Sequence, residues 1–285
     1  MKNYIKILLV LLMFPLIANA QEEEVEEEND TIAVSEVKLE RAAFESTALI
    51  DNQTDVLNTK GTLEMVMNHR FDLVNTPNSL IGIYGAANIR IAFAYAIHDR
   101  VTVGFGTTKD NVMQDFNLKG AILRQTRENE MPVSVSYYGN FTIDARKKEN
   151  FQYTEDRYSF FNQLIISRRF SPNVSFMVAP SISHYNVVPS TMKNDMIAVT
   201  VGGRAKISPQ TSIIAEYSQP ITSFENTPEP GVSLGVEFST GSHAFQIFVT
   251  NYKGIVQQKN FMYNQNNFFD GDFMIGFNIT RLWHL

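Results

Sequence analysis

Nine charged residues fall at alternate positions of strand-like stretches: Glu64, Asp144, Glu216 and Glu237 against Arg70, Arg90, Lys119, Arg204 and Lys206. Side chains of one parity share one face of an extended strand. These nine are therefore expected to line a common interior in which the two signs nearly balance. Such a set can brace a narrow lumen through ion pairs, or wall a conduit for a small solute. A ring of one sign would point instead to an ion-selective pore. With a turn at 208–210, Glu216 lies diagonally across from Arg204, close enough to pair.

Histidine offers a second chemistry. His69 and His184 take the opposite, outward parity, and a lipid-face hydrolase would need a serine on the same face of an adjacent strand. The neighbouring strands present Ile89 and Ile91, or Asn162, Ile197 and Val199, with no outward serine. These two read as rim histidines that hydrogen-bond headgroups or backbone. The five histidines (69, 98, 184, 243, 284) lack paired ligand spacing, and there is no cysteine. Gly104, Gly106, Gly202, Gly235 and Gly276 are spread along inward columns, where they allow close packing or bending, and form no phosphate loop. No metal, no cofactor and no enzymatic activity is expected.

The elements that carry these residues are legible from NIRIAFAYAIHDRVTVGFG, residues 88–106. Ile89, Ile91, Phe93, Tyr95 and Ile97 share one parity; Asn88, Arg90 and three alanines take the other. After a break at His98-Asp99-Arg100 the greasy parity resumes as Val101, Val103 and Phe105. That is a hairpin with all its large apolar residues on one face. The pattern recurs from Thr62 to the final strand, giving about twelve strands of roughly ten residues, the length of membrane strands. Breaks after even-numbered strands are short (98–100, 125–131, 171–173, 208–210, 240–241) and those after odd-numbered strands mostly long, the asymmetry of an outer-membrane barrel. Outward aromatics gather near strand ends: Tyr95, Phe170, Phe238, Phe245 and Trp283 at one rim, Phe71, Phe116, Tyr158 and Tyr217 at the other. They suit two interfacial girdles in contact with lipid.

Four segments follow. Residues 1–20 read as a secretory signal peptide, with Lys2 and Lys6, an apolar run and Ala18-Asn19-Ala20. Residues 21–37 hold the acidic run from Glu22, expected to be a disordered periplasmic tail. Leader and tail through Asp30 together carry about −5 of the net −6, so the rest is nearly neutral, which argues against a nucleic-acid partner. Residues 38–60 form a pre-barrel segment with a helix-compatible Ser46-Thr47 start, able to cover the mouth or enter the lumen. Residues 61–285 form the barrel. The last strand resembles the signal read by barrel-assembly machinery, although Leu285 stands where a phenylalanine is usual and Arg281 interrupts the pattern.

AFESTALIDNQT, His69-Arg70-Phe71, NTPNSLIGIYGAANIRIAFAYAIHDRVTVGFG, GSHAFQIFVTN and the final GFNITR resemble an uncharacterised domain-of-unknown-function family of Gram-negative outer-membrane β-barrel proteins. The resemblance implies a barrel and a membrane address, and no activity or site residues. The expectation is thus an all-β, antiparallel up-and-down transmembrane barrel of about twelve strands in the outer membrane, both termini periplasmic. Its expected role is a passive channel for small solutes; the alternative is a structural or docking barrel with a closed, salt-bridged lumen and a protein partner.

Overall fold

A computed structural model describes residues 38–285; the expected signal peptide and acidic tail lie outside the described residues. Twelve antiparallel strands close into a barrel: β1 (Thr62–Leu73), β2 (Asn88–His98), β3 (Val101–Thr108), β4 (Met113–Leu123), β5 (Ser134–Asp144), β6 (Tyr158–Arg169), β7 (Val174–Tyr185), β8 (Asp195–Lys206), β9 (Thr211–Pro220), β10 (Gly231–Ser239), β11 (His243–Thr250) and β12 (Met274–His284). Each pairs with its chain neighbours, and β1 pairs with β12, from Thr62 opposite His284 to Arg70 opposite Gly276. Closure leaves no unpaired edge, the condition for β-structure in hydrocarbon. Among the described residues no helix is long and apolar enough to cross a membrane; the strands do so.

The parity read from the sequence is the parity of the wall. Phe93 sits opposite Phe105, Phe105 opposite Phe116, Phe116 opposite Phe141 and Phe141 opposite Phe160. These outward rings form a row across five strands, with centroids 5.2 Å apart for Phe105–Phe116 and for Phe141–Phe160. Direct cross-strand pairing of aromatics stabilises the sheet by roughly 0.2–1 kcal/mol per pair. The connections after even-numbered strands are short apart from that between β4 and β5; those after odd-numbered strands are longer apart from that between β3 and β4.

Two local details stand out. Pro180 lies within β7 opposite Val199, and the β6–β7 pairing is interrupted there, between Gln163↔Ser181 and Ile166↔Val178. The ring removes one ladder donor, and the closed sheet tolerates one such gap. Ser46-Thr47, helix-compatible in sequence, starts no helix. Residues 47–54 instead form a tight hairpin, with Leu49 N–H donating to Asn52 O (2.8 Å), Thr54 N–H to Thr47 O (2.9 Å) and the Thr54 hydroxyl to Ser46 O (2.6 Å).

Candidate functional site

The lumen is the candidate site, and it is occupied. From the short-turn end, residues 38–40 run beside the β4–β5 connection, with Glu40 N–H donating to Gln125 O and Arg127 N–H to Lys38 O. The chain then turns inward and residues 43–56 fill the interior. From the opposite end the β11–β12 connection folds back into the barrel, carrying the short helix α1 (Gln257–Tyr263), where Gln258, Asn260, Phe261 and Met262 are buried.

The plug has two unlike sides. On one, Ala43, Phe44, Leu49 and Ile50 join Phe161, Ile165, Met177, Met196, Ile214 and Phe261 in a buried apolar cluster. Phe161 and Phe261 stack at 5.6 Å with an interplanar angle of 11°. At about 1.5–3 kcal/mol for each large apolar side chain removed from water, this core inside the barrel holds the plug against β5–β9. The polar lumen expected from the inward charges is therefore apolar on this one side. Inward Phe161, Ile165, Met177, Met196 and Ile214 of β6 to β9 are apolar because they meet protein instead of water.

On the other side the charged wall residues serve the plug's backbone. A chain segment inside a barrel cannot leave its amides and carbonyls unpaired, and five side chains meet that need. Glu216 accepts from the backbone N–H of Asp51 and of Asn52 (3.3 Å). Lys119 Nζ donates to Thr47 O (2.8 Å), Gln246 Nε2 to Ala48 O (3.2 Å), Asn278 Nδ2 to Ile50 O (3.0 Å) and Gln257 Nε2 to Asp51 O (3.3 Å). Side chains complete the set. Glu64 accepts from the Thr47 hydroxyl (2.7 Å) and Glu237 from the Ser46 hydroxyl (2.6 Å). Arg70, fully buried, pairs with Asp51 at 2.9 Å and lies over the Phe248 ring at 4.3 Å.

Arg204 does not pair with Glu216, as the diagonal register suggested. It takes Glu45 of the plug at 2.6 Å, and Lys206 approaches the same carboxylate at 3.5 Å. Burial raises the pKa of the Glu45 carboxyl; the hydrogen bond and charge of Arg204, with Lys206 behind it, outweigh that and hold it below its ordinary value. Asp55, farther along the plug, is pushed up by burial.

Arg90 finds its partner within the wall, Asp115 on β4 at 2.7 Å. Asp115 shares the parity of Lys119 and was legible as an inward residue; it was missed because Asn117 and Lys119 drew the reading of β4. Asp144 stands apart from the others. It ends β5 and pairs with exposed Arg146 at 2.7 Å in the long-loop mouth. Glu45, Asp51 and Asn52 carried no periodic signal and could be found only by threading.

The aromatic residues are placed as follows. Tyr95, Phe238, Phe245 and Trp283 lie toward the short-turn end, and Phe170 follows β6 in the turn itself. Phe71 and Tyr158 lie at the other end of the wall, whereas Phe116 and Tyr217 sit three residues further in. His69 stacks on Phe277 at 4.8 Å with parallel rings. His184 bonds Asp195 (2.8 Å) and Asn186 (3.2 Å), while Ser183, one residue earlier, is buried on the lumen side.

Closed strands, an apolar outer face and a polar interior define a membrane-spanning β-barrel. The family model described as "Membrane bound beta barrel domain (DUF5777)" matches residues 44–283, and the chain belongs to that family. The match begins inside the plug, so the lumen-filling segment falls within the family's domain. No curated protein matches the sequence. Solved structures similar in fold include a NanC porin (6% identity, TM-score 0.48, covering 78% of this chain and 99% of that one). A KdgM porin (5%, TM-score 0.46, 79% and 99%) and the COG4313 outer membrane channel from Pseudomonas putida F1 (11%, TM-score 0.45, 80% and 97%) are also similar.

Proposed function

We propose that this protein is an outer-membrane channel for small solutes, closed at rest by its own residues 43–56 and by the β11–β12 connection. The observation that carries the reading is the character of the plug's contacts. Apart from one apolar cluster, the segment is held by single hydrogen bonds and three ion pairs to wall side chains, each replaceable by water. We take the long-loop end as extracellular and both termini as periplasmic, since residues 38–40 and the end of β12 lie at the short-turn end. The C-terminal strand β12 is assigned to contact with barrel-assembly machinery. The histidines are read as non-catalytic, because Ser183 faces away from His184.

Liposome swelling with sugars of graded size tests the reading. Exclusion of every sugar by the parent, and passage of the smallest ones once Asp51→Ala loosens the plug, are expected. A second reading, a structural barrel that docks a partner, is favoured by the same filled interior. Impermeability of both the parent and the loosened protein would select it and remove the channel.

A further inference from the structure

The plug does not fill the lumen evenly. Its apolar side is packed tightly against β5–β9, whereas cavities lie one above another along the β1–β5 wall. At the long-loop mouth a cavity of about 520 Å3 is bordered by Asn88, Lys109 and Lys253. Midway, a cavity of about 60 Å3 lies between plug residues 47–53 and Glu64, Asn68, Arg90, Ala92 and Ala94. At the short-turn end a third, about 330 Å3, is bordered by Asp55, Gln125, Ser134 and Ser136.

The sequence makes this seam. Inward positions of β2 and β3 carry Ala92, Ala94, Ala96, Thr102, Gly104 and Gly106, the smallest inner face of the barrel. At Gly106 a Cβ would come within 2.5 Å of Arg90 Nη2 and Asp115 Oδ2; at Gly104 it would meet Asn117 Oδ1 at the same distance. The absent side chains are thus what let the polar groups of β2 and β4 lie flat against the wall and leave space before the plug.

Lys119 stands on β4 between the middle and short-turn cavities, which share no lining residue. Its neighbour in register, Tyr138, borders the first, and Ser136, opposite Ala121, borders the second. The ammonium closes the step by holding plug atoms Thr47 O and Gln53 Oε1 (2.8 and 3.3 Å).

We propose that the aqueous route through this barrel is the β1–β5 seam, with the Lys119 side chain as its gate, and that the route at rest admits water and small ions only. The middle cavity holds on the order of four to six waters, too few for a sugar. Walls of both signs, Glu64 and Asp55 beside Arg90 and Lys119, give little preference between cations and anions.

The inference rests on the channel reading, and the test separates the two. The natural chain has no cysteine, so single cysteines report cleanly. Ala94→Cys (seam) and Ala198→Cys (apolar side) are introduced into the full chain and reconstituted in planar bilayers, and a small cationic methanethiosulfonate is added. Ala94→Cys should react and lose at least half its conductance, Ala198→Cys should do neither, and Lys119→Ala should conduct several-fold more than the parent. Ala92→Cys replaces Ala94→Cys if the latter fails to fold. Conductance unchanged by modification of Ala94→Cys, or by Lys119→Ala, overturns the seam and leaves the channel standing. Protein of verified barrel fold that never conducts, with Lys119→Ala included, overturns both.

Discussion

Arg70 on β1 and Asp51 in the plug form an ion pair at 2.9 Å with both side chains essentially inaccessible to water. Asp51 also accepts from Ser233 (2.6 Å) and Thr250 (3.0 Å), and Arg70 donates to Asn278 (2.9 Å). One carboxylate thus ties the plug to β1, β10 and β11 at once. A buried pair of this kind repays its desolvation through such additional hydrogen bonds, although Arg70 Nε itself has no partner among the described residues.

Breaking that pair should release the plug. Asp51→Ala leaves the Arg70 guanidinium buried without its countercharge, a loss of about 3–5 kcal/mol. The barrel ladder is untouched, so the loss should appear as local opening. Limited proteolysis should cut within residues 40–58 at least tenfold faster than in the parent, while heat-modifiability of the barrel is retained. Equal protection in both proteins would contradict the assignment of Asp51 as the anchor.

Overfilling the docking face should act in the same direction by another route. Gly202 points inward from β8, where a Cβ would come within 2.7 Å of Leu49 Cδ2 and 3.1 Å of Met177 Cε. Gly202→Val forces Leu49 out or distorts β8, at about 1–3 kcal/mol. The measurement is the same proteolysis rate, and the effect should be smaller than that of Asp51→Ala.

The inserted β11–β12 connection depends on one ring. Phe261 stacks on Phe161 and meets Tyr252 edge-on at 5.9 Å. Phe261→Ala should cost about 3–5 kcal/mol of local stability, and hydrogen exchange should rise across residues 251–273 while the strands stay protected.

Acid should weaken the Glu45 anchor, whereas Asp55, its pKa raised by burial, acts in the opposite direction. The folded pKa of Glu45 lies below the ordinary value, so its contribution is present above the ordinary value of 4.5 and is lost as pH falls through the folded pKa. The Glu45-dependent part of proteolytic opening of the segment should therefore increase below about pH 4.5, and Glu45→Gln should open at neutral pH with that part of the pH dependence removed.

Lipid contact of the outer wall is checked at mid-strand. Phe93 is the sixth of eleven residues in β2 and faces outward. Phe93→Arg should destabilise the barrel in lipid vesicles by about 2–4 kcal/mol, read from urea titration, whereas Phe93→Leu should cost under about 1.5 kcal/mol.

The wall was readable in the chain because it obeys a period of two. Ile89, Ile91, Phe93 and Tyr95 declare an outer face whatever lies inside, and turn lengths then set the register without further information. The inward charges were readable for the same reason, with Asp115 within reach of the same reading. The interior was not. Phe161, Ile165, Met177, Met196 and Ile214 sit at inward positions, where alternation between two apolar faces gives no contrast to read.

What the sequence determined by itself is the closed sheet and its two faces, because strand geometry converts local alternation directly into position. What only the tertiary structure decided is the partner of every lumen charge. Glu216 binds amides of Asp51 and Asn52, and Arg204 takes Glu45 rather than Glu216. Those contacts join residues 159 to 165 positions apart, between a segment with no periodicity and a wall that has one. No local rule couples the two; the space left inside twelve strands does.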